Sequence, residues 1–275
     1  MNKENIHRLL ASTFLSHSGE DKKLVEAVAN ELALRGIIAW LDRNEILLGG
    51  NLDEVLEETI RQNLTFTVFL SGSALQSPWV DNELTVALEK AASNPRFRIY
   101  PIYLGKPGKL VKSHPQLRQK WLDEYGKVLP IGHEITGYNA DKFSPKRNHR
   151  IVMEIAERIS ASIYGHIRET SSPHTMLYFD QRGRSGKGDI SGSLTYSVPN
   201  ASLFVFRPDT GKADNYETLT GAEWKRFSNT VRESLKTIFT ANRKQEIHIQ
   251  GNAQLALPFL VGRCFDRKSP YDRFG

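Results

Sequence analysis

The chain has 275 residues, 39% hydrophobic and 25% charged, with a formal net charge of +6 and a single cysteine, Cys264. That balance describes a globular chain with apolar material for a core, and it excludes a disordered, collagen-like or fibrous chain and any intrachain disulfide. The length suits two ordinary domains better than one core, and the charge is divided unequally, +1 through His166 and +5 after it.

The first half alternates short apolar runs with helix-period stretches, the order that builds a parallel sheet covered by helices. Residues 13–16 read as a strand. Leu24, Val25, Val28 and Leu32 follow at helical spacing, and Gly36 is a helix stop. Residues 37–41 are a second strand, 53–62 a second helix and 66–70 a third strand. Pro78 suits the first turn of a helix reaching about residue 92, and 98–104 is a fourth strand. The pattern weakens between 105 and 148, with one short candidate helix at 117–124. A helix at 149–163 closes a first domain of residues 1–166, and 167–174, centred on Thr170-Ser171-Ser172-Pro173, is the expected linker. The second domain, 175–275, reads as strands at 176–179, 193–198 and 203–206, a helix at about 222–239, a strand at 246–250 and a helix at 253–264. Both halves are therefore expected to be α/β. No stretch approaches the roughly 20 apolar residues that span a bilayer, and Met1 to Leu10 has no apolar run like a secretion signal, so a cytoplasmic protein with no membrane partner is expected.

In an open parallel sheet, ligands collect beyond the carboxyl ends of the strands. Polar residues stand there: Ser16 to Lys22 after the first strand, Asp42-Arg43-Asn44-Glu45 and the Gly49-Gly50 loop after the second, and Ser71-Gly72-Ser73 after the third. In the next helix Trp79 and Glu83 are four residues apart on one face. Two readings stand: a core tryptophan with a first-turn acid complementing the helix dipole, or an aromatic plate beside a carboxylate in a crevice. No Gly-x-Gly-x-x-Gly follows the first strand, which argues against a hydride-transferring dinucleotide domain. The lone cysteine fits no metal pattern, and His7, His17, His114 and His133 read as surface or capping histidines, so no metal site is expected.

Taken in order, Phe14-Leu15-Ser16-His17-Ser18 with Glu20-Asp21-Lys22, then Trp40-Leu41-Asp42 with the Gly49-Gly50 loop, then Phe69-Leu70-Ser71, then Ser77-Pro78-Trp79-Val80-Asp81-Asn82-Glu83-Leu84 closely resemble a Toll/interleukin-1-receptor (TIR) domain over about residues 10 to 165. The resemblance implies a flavodoxin-like parallel sheet with helices on both faces. It also implies a choice, because TIR domains act either as scaffolds that pair with other TIR domains or as enzymes that cleave the nicotinamide-ribose bond of NAD. The enzymatic ones carry a glutamate where Glu83 stands, which makes Glu83 the candidate catalytic residue. Ser16, Asp42, Arg43, Gly50, Ser73 and Trp79 are the candidate substrate contacts, and NAD+ is expected as a substrate, with no cofactor.

In the second half, Ile247-His248-Ile249-Gln250-Gly251-Asn252-Ala253-Gln254 reads as a strand turning through glycine into a helix. Such a helix start either holds an anion on its free N–H groups or simply makes the turn. Asp180 to Asp189 is a basic, glycine-rich stretch after a strand, and Arg207 to Lys212 follows another. The basic surplus suits either solvation or a polyanionic ligand. The 203–206 strand, the helix through Trp224 and Phe239, and the 247–257 segment resemble the SAVED/CARF group of cyclic-oligonucleotide sensors over about residues 174 to 265. The resemblance implies a Rossmann-like sensor domain, with Arg182, Lys212, Gly251, Asn252 and Gln254 as candidate contacts to a cyclic oligonucleotide. Fusion of such a sensor to a TIR domain recurs in bacterial antiphage effectors of CBASS and type III CRISPR systems. A full SAVED domain has two Rossmann-like units where one is visible here, so either the chain is truncated or two copies of the single unit pair across a homodimer as CARF domains do; assembly around a ring ligand, as a dimer or filament, is expected. The combined expectation is an NAD+ glycohydrolase activated by a cyclic oligoadenylate and acting by NAD depletion, without a long nucleic acid as partner. The alternative is a TIR scaffold without turnover.

Overall fold

A computed structural model describes residues 10–41, 52–112, 119, 132–169, 173–180, 201–207, 220–240 and 246–252, with the side chains of 52–56, 111, 240 and 252 excepted. By contact the chain divides into two compact units, one of residues 12–29 and 39–159, the other of residues 1–11, 30–38 and 160–275.

Among the described residues the first sheet has five strands: β1 (Ser12–Ser16), β2 (Ile38–Leu41), β3 (Thr65–Leu70), β4 (Arg98–Tyr103) and β5 (His133–Glu134). Their order is β2-β1-β3-β4-β5, and the described pairings of β1, β3, β4 and β5 are all parallel. This is the flavodoxin-like order of a doubly wound sheet. Helices α1 (Lys22–Leu34), α2 (Leu52–Gln62), α3 (Pro78–Ser93), α4 (Pro107–Lys112) and α5 (His149–Glu169) connect or follow the strands. Every residue of β1 and β3 is buried, as expected of central parallel strands covered on both faces. Their polar members are matched to each other: Thr13 and Thr67 hydroxyls lie 2.9 Å apart. Phe14 stacks on its register partner Phe66 at 5.6 Å. Val80, Leu84, Ala87 and Leu88 of α3 close over Phe14, Phe66, Val68 and Leu70 in one core cluster.

The stop expected at Gly36 takes the form of a Schellman motif. Gly36 N–H donates to the Ala33 carbonyl (3.3 Å) and Ile37 N–H to the Leu32 carbonyl (3.0 Å), with Gly36 at φ 78°. α4 and β5 were not foreseen. α4 is a turn and a half opened by Pro107, and β5 has two residues, both too short to show a period. The expected helix at 117–124 lies outside the described residues except for Gln119.

Among its described residues the second unit holds a three-stranded parallel sheet, β6 (His174–Asp180), β7 (Ala201–Phe206) and β8 (Glu246–Asn252), in the order β7-β6-β8. Helix α6 (Gly221–Thr240) buries Phe227, Val231, Leu235 and Ile238, an apolar stripe at helical spacing. The outer side of β7 is covered by segments of the same unit: Ala11 N–H donates to the Leu203 carbonyl, Val205 N–H to Gly36, and Arg207 N–H to Ala33, at 2.8 to 2.9 Å. Such cover satisfies an edge that would otherwise present unpaired backbone groups. Both halves are thus α/β with parallel strands. α5 runs to Glu169, three residues into the expected linker of 167–174, and β6 begins at its last residue, His174. The expected strand at 193–198 and helix at 253–264 lie outside the described residues.

Candidate functional site

Because β1, β3 and β4 are parallel, their carboxyl ends at Ser16, Leu70 and Tyr103 share one edge of the sheet. The chain leaves β3 through Ser71-Gly72-Ser73 and a 3-10 turn at Ala74–Gln76, then enters α3 at Pro78, so the amino end of α3 rises from that edge. Ser77 caps the helix, its hydroxyl accepting from Val80 N–H. Proline at the first position adds a preset φ where no N–H is needed.

Glu83 sits one turn into this helix with 0% exposure. It shares a helical face with Trp79, Val80 and Ala87 at i−4, i−3 and i+4. Val80 and Ala87 are core residues, and Trp79 is half-buried against the same cluster. A carboxylate set on the apolar stripe of a helix is rare in a purely structural design, since desolvating it is costly. Glu83 lies beyond the first turn, where Asp81 is the acid that complements the helix dipole.

At the end of β1 the Ser16 side chain is wholly buried, and its hydroxyl has no hydrogen-bond partner among the described residues. Beside it stands a cluster centred on Asp21, also at 0% exposure. Asp21 Oδ2 accepts from Ser18 Oγ at 2.5 Å and from Ser71 Oγ at 2.6 Å, and Oδ1 accepts from Tyr138 OH at 2.9 Å. Ser73 Oγ lies 2.9 Å from both Ser18 Oγ and Ser71 Oγ, and Ser71 Oγ accepts from Ala74 N–H. One carboxylate therefore ties the loop after β1, the loop after β3 and the segment around Tyr138. Burial, reinforced by the Asp21 charge and hydrogen bond, pushes the Tyr138 hydroxyl well above its ordinary pKa, so it stays a donor.

Of the residues expected at this edge, Ser16, Ser73, Trp79 and Glu83 lie on elements that meet there, while Asp42, Arg43 and Gly50 lie outside the described residues. Asp21, Ser18 and Ser71 stand in the strand-end loops already singled out as polar, yet none was singled out individually. Tyr138 had no signal, being 117 residues from its partner. His17 Nδ1 is 3.0 Å from the Leu15 carbonyl, and His133 pairs with Glu154 at 2.9 Å.

The second sheet has a comparable carboxyl edge. Asp180, the last residue of β6, is buried, and its Oδ2 accepts from Arg207 Nε at 3.1 Å just past β7. Asn252 is the register partner of Asp180, and Gly251 that of Phe179. A Cβ on Gly251 would stand 2.7 Å from the Phe179 carbonyl oxygen, so this glycine, still within β8, permits the close approach of two strands. Asp180 and Arg207 were passed over individually. Arg182, Lys212 and Gln254 lie outside the described residues.

NAD(+) hydrolase TcpC of Escherichia coli O6:H1 is 30% identical over 91 residues, which make up 33% of this chain and 30% of that protein; the chain thus spans less than a third of its relative's length. Two solved structures are also matched. One is the TIR domains of the activated Roq1 resistosome recognizing XopQ, with a TM-score of 0.40, 22% identity, and coverage of 53% of this chain and 99% of that one. The other is a metazoan TIR-STING receptor from C. gigas, with a TM-score of 0.32, 16% identity, and coverage of 96% and 95%. Residues 13–127, the segment that carries β3, β4, Asp21 and Glu83, match the model of the TIR domain family.

Proposed function

We propose that the protein is an NAD+ glycohydrolase in which Glu83 acts on the ribose next to nicotinamide. The observation that carries this reading is the burial of the Glu83 carboxylate on the apolar face of α3, where that helix rises from the carboxyl edge of the sheet. In the reaction the bond between ribose C1′ and the nicotinamide nitrogen breaks, and its electron pair leaves with nicotinamide, which becomes neutral. Positive charge then spreads over C1′ and the ring oxygen. A water adds to C1′ and releases a proton, giving ADP-ribose, nicotinamide and H+. A carboxylate held beside C1′ lowers the energy of this oxocarbenium-like state, most effectively where water is excluded. Trp79 offers a face for stacking a ring, and the buried Ser16 hydroxyl, which has no hydrogen-bond partner among the described residues, would hydrogen-bond a ribose hydroxyl. The relation to an NAD(+) hydrolase supports the same chemistry.

In this reading the second unit senses a cyclic oligoadenylate whose phosphates meet the basic surplus after His166 and the carboxyl edge formed by β6, β7 and β8. Binding assembles chains into larger, active particles, and NAD depletion serves antiphage defence in a CBASS or type III CRISPR setting. The test is nicotinamide release from NAD+ by the full chain, with and without cyclic oligoadenylates of several ring sizes. Release that a ring ligand accelerates supports both parts. Release indifferent to every ring supports the enzyme and removes the sensor, and no release under any condition removes the enzyme.

A further inference from the structure

The opposite, amino-terminal edge of the second sheet carries a cluster that the proposed function does not use. His174 opens β6, Glu246 opens β8, and the two are register partners on adjacent parallel strands. His248 follows Glu246 by two residues, so its side chain leaves the same face of the sheet. His174 Nδ1 lies 3.3 Å from one Glu246 carboxylate oxygen, and His248 Nε2 lies 3.7 Å from the other. The two imidazole rings are 5.5 Å apart, and one donor atom from each residue falls within 4.8 Å of the others. The histidines are largely buried, with 29% and 19% side-chain exposure, whereas Glu246 is 66% exposed and leaves an approach from solvent.

From this geometry we propose that His174, Glu246 and His248 form a binding site for a divalent transition-metal ion, best suited to Zn2+. Zinc binds imidazole nitrogen at about 2.0–2.1 Å and carboxylate oxygen at about 2.0–2.2 Å, and a tetrahedral arrangement of such bonds spaces its donors about 3.4 Å apart. The two separations to Glu246 are close to that spacing, and side-chain rotation alone brings the histidine donors within reach of one ion. The donor set of two imidazoles and one carboxylate is a familiar transition-metal combination and lacks the many oxygens that Ca2+ and Mg2+ demand. Ligands of an α/β sheet bind at the carboxyl ends of its strands, whereas this cluster stands at the amino ends of β6 and β8. Its metal is therefore a clip that fixes the entry of β8 beside β6, where the backbone already joins through Glu246 N–H and the Pro173 carbonyl at 3.2 Å. Three protein ligands leave the fourth position to water.

The test uses the full chain, stripped with chelator, desalted and titrated with ZnCl2 in the absence of NAD+ and nucleotides. One Zn2+ per chain is expected by calorimetry and elemental analysis, together with a rise in the thermal midpoint. His174→Ala, His248→Ala and Glu246→Gln are each expected to weaken binding by more than about 100-fold, since even the outer partners of metal ligands are worth about 10–100-fold. His133→Ala, in the separate pair with Glu154, is expected to leave binding unchanged. Should a variant fail to fold, the unmutated protein gives the same answer: Zn2+ is expected to shield His174 and His248, but not His133, from diethyl pyrocarbonate. Absence of stoichiometric Zn2+ binding, undiminished binding in the His174→Ala/His248→Ala double variant, or no shielding of these two histidines would overturn the proposal.

Discussion

A carboxylate on the apolar stripe of a helix is costly to desolvate, and it serves catalysis where positive charge develops beside it. Glu83→Gln keeps the shape of the side chain and removes the charge, so nicotinamide release is expected to fall about 100-fold or more with the fold retained. A fall in midpoint together with activity would instead mark Glu83 as structural. Asp21 acts differently, since both of its oxygens already accept from protein hydroxyls. Tyr138→Phe removes one charge-assisted hydrogen bond and is expected to cost about 1.5–3 kcal/mol of unfolding free energy, measured by denaturant titration. An unchanged free energy would show that this bond carries no weight. The Trp79 and Glu83 pair was legible because both residues lie within five consecutive positions of one helix. The Asp21 to Tyr138 contact was not, because nothing local announces a partner so distant in the chain.

At the scale of elements, what could be read were segments long enough to show a period, and chain punctuation such as Gly36 and Pro78. Missed were α4, β5 and the cover of β7 by residues 11 and 33 to 36, which arises from tertiary hydrogen bonds. Gly36 shows both kinds of information. Its φ of 78° was anticipated as a helix stop, while its contact with β7 was not: a Cβ there would stand 2.8 Å from the Phe206 ring. Gly36→Ala is expected to cost at least about 1–2 kcal/mol from the left-handed backbone alone, with more from the ring contact, and a loss under about 0.5 kcal/mol in chemical denaturation would contradict this. Lys90 of α3 closes the end of α2, its Nζ donating to the carbonyls of Ile60, Arg61 and Asn63 at 3.1, 2.5 and 2.7 Å, with the Phe97 ring 4.1 Å away. Lys90→Met is expected to cost about 1–3 kcal/mol by leaving these acceptors undonated. Burial, helped by the nearby Arg61 charge, lowers the Lys90 pKa from 10.5 to about 8. Between those values the unfolded chain holds the proton more tightly, so this group's contribution to stability grows as pH rises from about 8 to 10.5 and is least below 8. The stability difference between the unmutated chain and Lys90→Met is expected to widen over that window, and a flat difference would refute it.

Across the whole molecule the two α/β units have separate sheets, each with a polar carboxyl edge, and the proposed function assigns catalysis to one and sensing to the other. A ring-shaped ligand with repeating phosphates favours a symmetric pairing of identical chains. Specific activity is therefore expected to rise with protein concentration in the presence of the ring, alongside larger particles in sedimentation; full activity in particles that remain monomeric would refute assembly while leaving Glu83 in place. The α/β character of both units was legible from alternating strand and helix patterns. The polar character of the stretches after the strands was readable from strand order, whereas the roles expected of individual residues there rested on resemblance. The most direct measurement is nicotinamide release from NAD+ by the unmutated chain and by Glu83→Gln under identical conditions. Release by the first and at least about a hundredfold less by the second are expected; equal release by the two would contradict a catalytic role for Glu83.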